Sequence, residues 1–179
     1  MQIVRTWPHK VPPHRGHVQD DLPRFVMGGY DYRPLFEQTD DDLLIIEWDI
    51  AAGAEHFAAM LDLIHSTPDR VIAAPYRIYM LKRDPGPHWV MRRYDDEGAT
   101  RWVTDGEDSC HLFGFGLTYI PRETWRAYVA ANKRGWVNDN SFSRWHHEHV
   151  AAEVPIPWDI QPVHLHYPTP DTGGCDGSA

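Results

Sequence analysis

The run Leu43-Leu44-Ile45-Ile46 constrains this chain more than any other stretch. It follows three acids, Asp40-Asp41-Asp42, and ends in Glu47-Trp48-Asp49. Four successive apolar residues lack the alternation of a half-buried strand, so they fit a strand covered on both faces. Such strands belong to sheets flanked by helices, which points to an α/β domain. The next segments agree. Gly53 breaks the chain, and residues 55–65 place Phe57, Met60, Leu61 and Ile64 at helical spacing. Pro68 stops that helix. Residues 70–80 then read as a second buried strand, interrupted at Pro75, which completes a β-α-β unit.

Other elements are shorter. Residues 2–5 are β-prone. Residues 8–24 hold four Pro, one Gly and three His, and read as a loop. One or two helical turns are expected over 31–38. Residues 89–94 and 100–103 are expected to pair as a hairpin. Residues 112–120 form a Gly-containing strand. Pro121 then opens a helix from its first turn, with Glu123 near the positive end and Gly135 as C-cap. A short helix over 139–149 and two extended pieces over 154–167 complete the plan. At about 150 residues per domain, 179 residues make one domain over 1–167, with a flexible Pro/Gly/Ser-rich tail over 168–179.

Composition narrows the partners. The net charge of −9 argues against nonspecific nucleic-acid binding through overall charge. No apolar run is long enough to span a membrane, and MQIVRTWPHK lacks an apolar signal core, so a cytoplasmic protein is expected. Two Cys do not make a disulfide framework. Eight Trp and twelve His suit a polar cleft with stacking walls. Charge is uneven. Six acids and no base lie between Glu37 and Asp49, while 77–93 carries +4 and 122–134 carries +3. The acidic segment suits a metal and the basic ones an anionic ligand, unless all three are ordinary solvated faces.

Five constellations carry chemistry. Glu47 and Asp49 end the best strand, where ligands of open α/β sheets bind. Together they suit a hard cation or a ribose hydroxyl; the plain alternative is a solvated strand end. His164 and His166 share one face of a strand, and imidazole with carboxylate suits Mn²⁺; otherwise they are surface histidines. Gly114 and Gly116 permit close backbone approach, or mark only a bulge. Asp139 starts a helix as a cap or as a base. His146-His147-Glu148-His149 lacks the spacing of a zinc helix, although His146 and His149 are three apart, and it reads better as a solvated helix end.

In this order the pieces resemble GT-A glycosyltransferases of the family 2-like group. The strand ending in Glu47-Trp48-Asp49 is similar to their DxD-type motif, with Glu in the first place. FGFGLTYIPRETW is similar to their glycine-rich strand and following helix. Asn138-Asp139 with Phe142 and Trp145 resembles their E-D-x-x-F segment, with Asn replacing Glu. Pro162-Val163-His164-Leu165-His166 resembles their C-terminal metal-binding histidine. The resemblance spans residues 40–167 and implies a single GT-A-like domain with a mixed, mostly parallel sheet flanked by helices.

It further implies Asp49 as the principal ligand of Mn²⁺ or Mg²⁺, with His164 or His166 completing the shell. Glu47 would bind ribose or metal-bound water. Gly114 and Gly116 would line the sugar pocket, and Asp139 would be the base of an inverting transfer. The donor would be a nucleotide-diphospho-sugar, and the acceptor a free hydroxyl. Thr6, Pro8, His9 and Arg15 follow the first strand and are the candidates for the nucleotide. The segment before Glu47 is short for such an enzyme. A compact domain of this kind is expected of a bacteriophage or a small bacterial cassette, where a hydroxymethylated DNA base is one candidate acceptor. Two other classes compete: a noncatalytic sugar-binding module, and a metal-dependent phosphoesterase or nuclease.

Overall fold

The computed structural model describes residues 1–8, 22–28, 30–80, 84–151 and 153–165. In chain order its strands and helices are β1 (Gln2–Pro8), β2 (Arg24–Met27), α1 (Arg33–Gln38), β3 (Leu43–Glu47), β4 (Ile50–Ala51), α2 (Ala54–Ser66), β5 (Ile72–Ala73) and β6 (Arg77–Met80). They continue as β7 (Asp84–Trp89), β8 (Arg92–Tyr94), β9 (Thr100–Trp102), β10 (Ser109–Cys110), β11 (Leu117–Ile120), α3 (Arg122–Ala131), α4 (Asp139–His149), β12 (Val154–Pro155) and β13 (Val163–His164).

The protein is of the α/β class, with a mixed central sheet in the order β2-β1-β3-β11-β5. β1 lies parallel to β2 and β3, whereas β11 is antiparallel to both β3 and β5. β11 alone therefore runs against the other four strands. The β3-α2-β5 unit is present, but β11 is inserted between its two strands. All four residues of the apolar run are fully buried. Period-two geometry divides them between the faces. Leu44 and Ile46 pack with Met60 and Ile64 of α2. Leu43 and Ile45 pack with Phe36, Trp125 and Phe142 from α1, α3 and α4. Each such side chain contributes about 1.5–3 kcal/mol of burial, and this two-sided cover is why the run does not alternate.

Several boundaries differ from expectation. The strand over 70–80 is two strands: β5 ends at Ala73, and β6 leaves to form a separate hairpin with β7. Pro75 lacks the N–H that a continuous ladder needs. β11 begins only at Leu117, because residues 113–116 turn beneath a tyrosine described below. Pro121 is the N-cap of α3, and Asn132, not Gly135, is its C-cap. β2, directly after the proline-rich stretch, has no clear sequence signal. The β8–β9 hairpin and α4 are as expected. Among the described residues no helix is long and apolar enough to cross a membrane.

Candidate functional site

The site is built where β3 ends. Arg5 of β1 is 1% exposed. Its guanidinium donates to the Glu47 carbonyl at 2.7 Å and the Ile50 carbonyl at 3.1 Å. A buried charge thus fixes both ends of the turn through Trp48 and Asp49. Trp48 packs edge-on against Trp7. Beyond the turn, β4 pairs with β13 and sets Ile50 opposite His164.

Two pairs of functional groups result. In the first, His164 Nε2 lies 3.1 Å from Asp49 Oδ2, and both side chains are about one-tenth exposed. In the second, Glu47 at the sheet end lies within electrostatic reach of Asp139. Tyr32 donates its hydroxyl to Glu47 Oε1 at 2.5 Å. Burial pushes the Glu47 carboxyl up to about 8, with the charges of Asp139 and Asp49 adding to it and hydrogen bonds from Tyr32 and Tyr76 opposing it. Asp139 is raised as well, chiefly by burial, against the Asn140 N–H and the Arg92 charge. Burial and the Glu47 charge hold the Tyr32 and Tyr76 hydroxyls well above their ordinary range.

Tyr76 joins the two pairs. Its ring stacks on His164 with centroids 5.4 Å apart and planes 11° from parallel. Its hydroxyl hydrogen-bonds Glu47. The two glycines make room for it. A Cβ on Gly116 would lie 2.2 Å from Tyr76 Cε1, and one on Gly114 would lie 2.6 Å from the Tyr76 oxygen. The space beside Gly114 and Gly116 is therefore filled by Tyr76 and is not an open sugar pocket.

The remaining sequence candidates fall in different places. Thr6 is fully buried on β1, paired in register with Glu47. Buried there, it belongs to the interior and presents no surface to a nucleotide. Pro8 is the last residue of β1. His9, Arg15 and His166 lie outside the described residues. Asn138 is the N-cap of α4, accepting from the Ser141 N–H, and this explains why an amide stands before Asp139.

The histidine run on α4 is not a solvated end throughout. His146 is buried against Phe113 and Phe142, His147 packs on His111 and Tyr94, and His149 stacks on Trp145. Pointing three ways, they share no ligand. Among the described residues no group of three His, Cys, Asp or Glu side chains could hold a metal. Cys110 is buried with its thiol pushed up to about 12, so it is not a nucleophile.

Part of the charge of the basic segments is offset by acids elsewhere in the chain, Arg77 by Asp105, Arg93 by Glu153 and Arg126 by Asp40, while Arg122 pairs with Glu123 inside its own segment. Sequence reasoning missed Arg5, Tyr32 and Tyr76. A charge inside a β-prone run and a tyrosine directly after a strand-breaking proline were the available signals.

No protein-family model and no curated protein matches the chain. Among solved structures it is similar to A197 from STIV, with a TM-score of 0.50 and 14% identity, over 91% of this chain and 81% of that one. At that identity the likeness is one of fold.

Proposed function

We propose that the chain is a metal-dependent glycosyltransferase with a compact GT-A-like domain. The observation that carries this reading is the convergence at the end of β3. A histidine from near the C-terminal end of the described residues pairs with Asp49, and the charge of Asp139, from the start of α4, reaches Glu47. Strand order supports it too, since β11 runs antiparallel beside the strand that carries the acids.

Asp49 and His164 offer one carboxylate oxygen and one imidazole nitrogen. That set suits Mn²⁺ or Mg²⁺ bound mainly by diphosphate oxygens and water. When bound, the cation would neutralise the charge that develops on the leaving diphosphate. The protein's own groups do the rest. Asp139 accepts the proton of the acceptor hydroxyl while that oxygen bonds to the anomeric carbon. The bond from that carbon to the diphosphate oxygen breaks, and its electron pair leaves with the diphosphate, giving inversion. Burial raises Asp139 above the ordinary aspartate range, the direction that favours a general base. Tyr76 and Tyr32 hydrogen-bond Glu47 and hold it in place.

The acceptor supplies a free hydroxyl. A hydroxymethylated DNA base is disfavoured by the net charge of −9. The test is a panel of nucleotide-diphospho-sugars with Mn²⁺, scored by thermal shift and donor turnover. One donor should raise the melting temperature of the wild type and lose that effect in EDTA and in Asp49→Ala. A flat panel, or full turnover in EDTA, would refute the proposal.

A further inference from the structure

A cavity of about 560 Å³ lies between α3 and α4, away from the Asp49–His164 pair. Its lining includes Trp136, Trp145, Asn132, Asn138, Asn140 and Arg144. Seven of the eight tryptophans are buried or half-buried, whereas Trp136 is 64% exposed. The loop that carries it is fixed. Arg33 donates to the Asn132 and Gly135 carbonyls, and the Val137 N–H donates to Asp31. The Trp136 carbonyl accepts from Ser141 Oγ at 3.1 Å. An exposed indole on a loop anchored at both ends is a preorganised flat surface.

Three of the polar lining residues are asparagines. Asn138 and Asn140 accept from the Ser141 N–H and from Arg92 through their amide oxygens and keep their NH2 groups to donate, while Asn132 donates to the Tyr128 hydroxyl. Arg144 is offset by Glu148 one turn later on the same wall, and neither forms an ion pair among the described residues. The cavity is thus polar, aromatic and close to neutral. Phosphate-bearing ligands need net positive charge, and acyl chains need an apolar lining. A flat aromatic face with neutral amides matches a sugar ring, whose C–H face stacks while its hydroxyls pair with amides. Asn138 and Asn140 line the cavity and flank Asp139 in the chain.

We propose that the α3–α4 cavity binds a saccharide on Trp136. An array of defined short gluco-, galacto-, manno- and N-acetylglucosamine-containing oligosaccharides is probed with the whole chain, and the strongest ligand is titrated calorimetrically. Wild type should bind. Trp136→Ala should weaken binding about tenfold or more, Trp136→Phe should retain most of it, and added salt should change it little. The nucleotide-sugar thermal shift should be the same in Trp136→Ala as in wild type. No array ligand for wild type, or equal affinity in Trp136→Ala, overturns the saccharide site. Trp136-dependent binding without any donor shift upholds the site and refutes the transferase reading alone.

Discussion

Gly116→Ala tests the claim that Tyr76 organises the site. The added methyl would sit 2.2, 2.8 and 2.9 Å from three Tyr76 ring carbons, and all three of its nearest neighbours belong to that ring. The ring is buried and stacked on His164, so it is not the free end of a flexible chain. Overpacking of this kind costs about 1–3 kcal/mol. The backbone adds no penalty, because Gly98 and Gly106 are the positive-φ glycines among the described residues and Gly116 is not one of them. Alanine is therefore compatible with the chain path once the ring is gone. In a Tyr76→Ala background, itself costing about 3–5 kcal/mol, Gly116→Ala should stabilise by about 0.4–1 kcal/mol through the unfolded chain. The same substitution thus changes sign with its partner, a coupling of about 1.5–4 kcal/mol. Urea denaturation of the four proteins measures it. Equal destabilisation by Gly116→Ala in both backgrounds would refute the argument that the glycine exists for Tyr76.

Further expectations concern the turn, the base and a buried histidine. Arg5→Leu strands the Glu47 and Ile50 carbonyls and should cost about 2–6 kcal/mol, read as a lowered urea midpoint; a change below ~1 kcal/mol would mean that water replaces the guanidinium. Asp139→Asn should keep the fold and the donor-induced thermal shift yet lose turnover about a hundredfold or more, whereas unchanged turnover removes it as base. His146 is 3% exposed, and burial, with the neighbouring His147, lowers it to about 4. Its unfolded value is about 6.5, so the unfolded chain takes up the proton first. Its contribution is complete above that value and is lost as pH falls toward 4, by about 3 kcal/mol in all. The difference in stability between wild type and His146→Phe, followed by urea denaturation from neutral to acid pH, should show this slope; a pH-independent difference would contradict it.

The two halves of the site differed in how far they could be read from the chain. Leu43–Ile46 announced the central strand because burial on both faces removes alternation, and that is a local property of four residues. Glu47 and Asp49 were legible for the same reason, since acids at the end of such a strand have one obvious place to be. Their partners were chosen by pairings with no local signature. β4 and β13 are two residues each, too short to carry a pattern, yet their register alone sets His164 against Asp49. Arg5 looked like the polar end of a weak strand. It is a buried clamp because β1 is an interior strand between β2 and β3, with Arg5 opposite Ile46.

Gly114 and Gly116 show the same limit from the other side. Their spacing correctly signalled that something comes close to the backbone, and a sugar was the natural guess. What comes close is the chain's own Tyr76, delivered by the proline that ends β5. A glycine pair reports close approach without naming the approaching group, so a ligand assignment from glycines alone needs the fold before it means anything. Here the fold turns that assignment into a stronger statement about chemistry. One tyrosine touches both a carboxylate and the imidazole of the Asp49 pair, so any group bound by Asp49 and His164 is linked through a single rigid ring to the acids that would handle the proton.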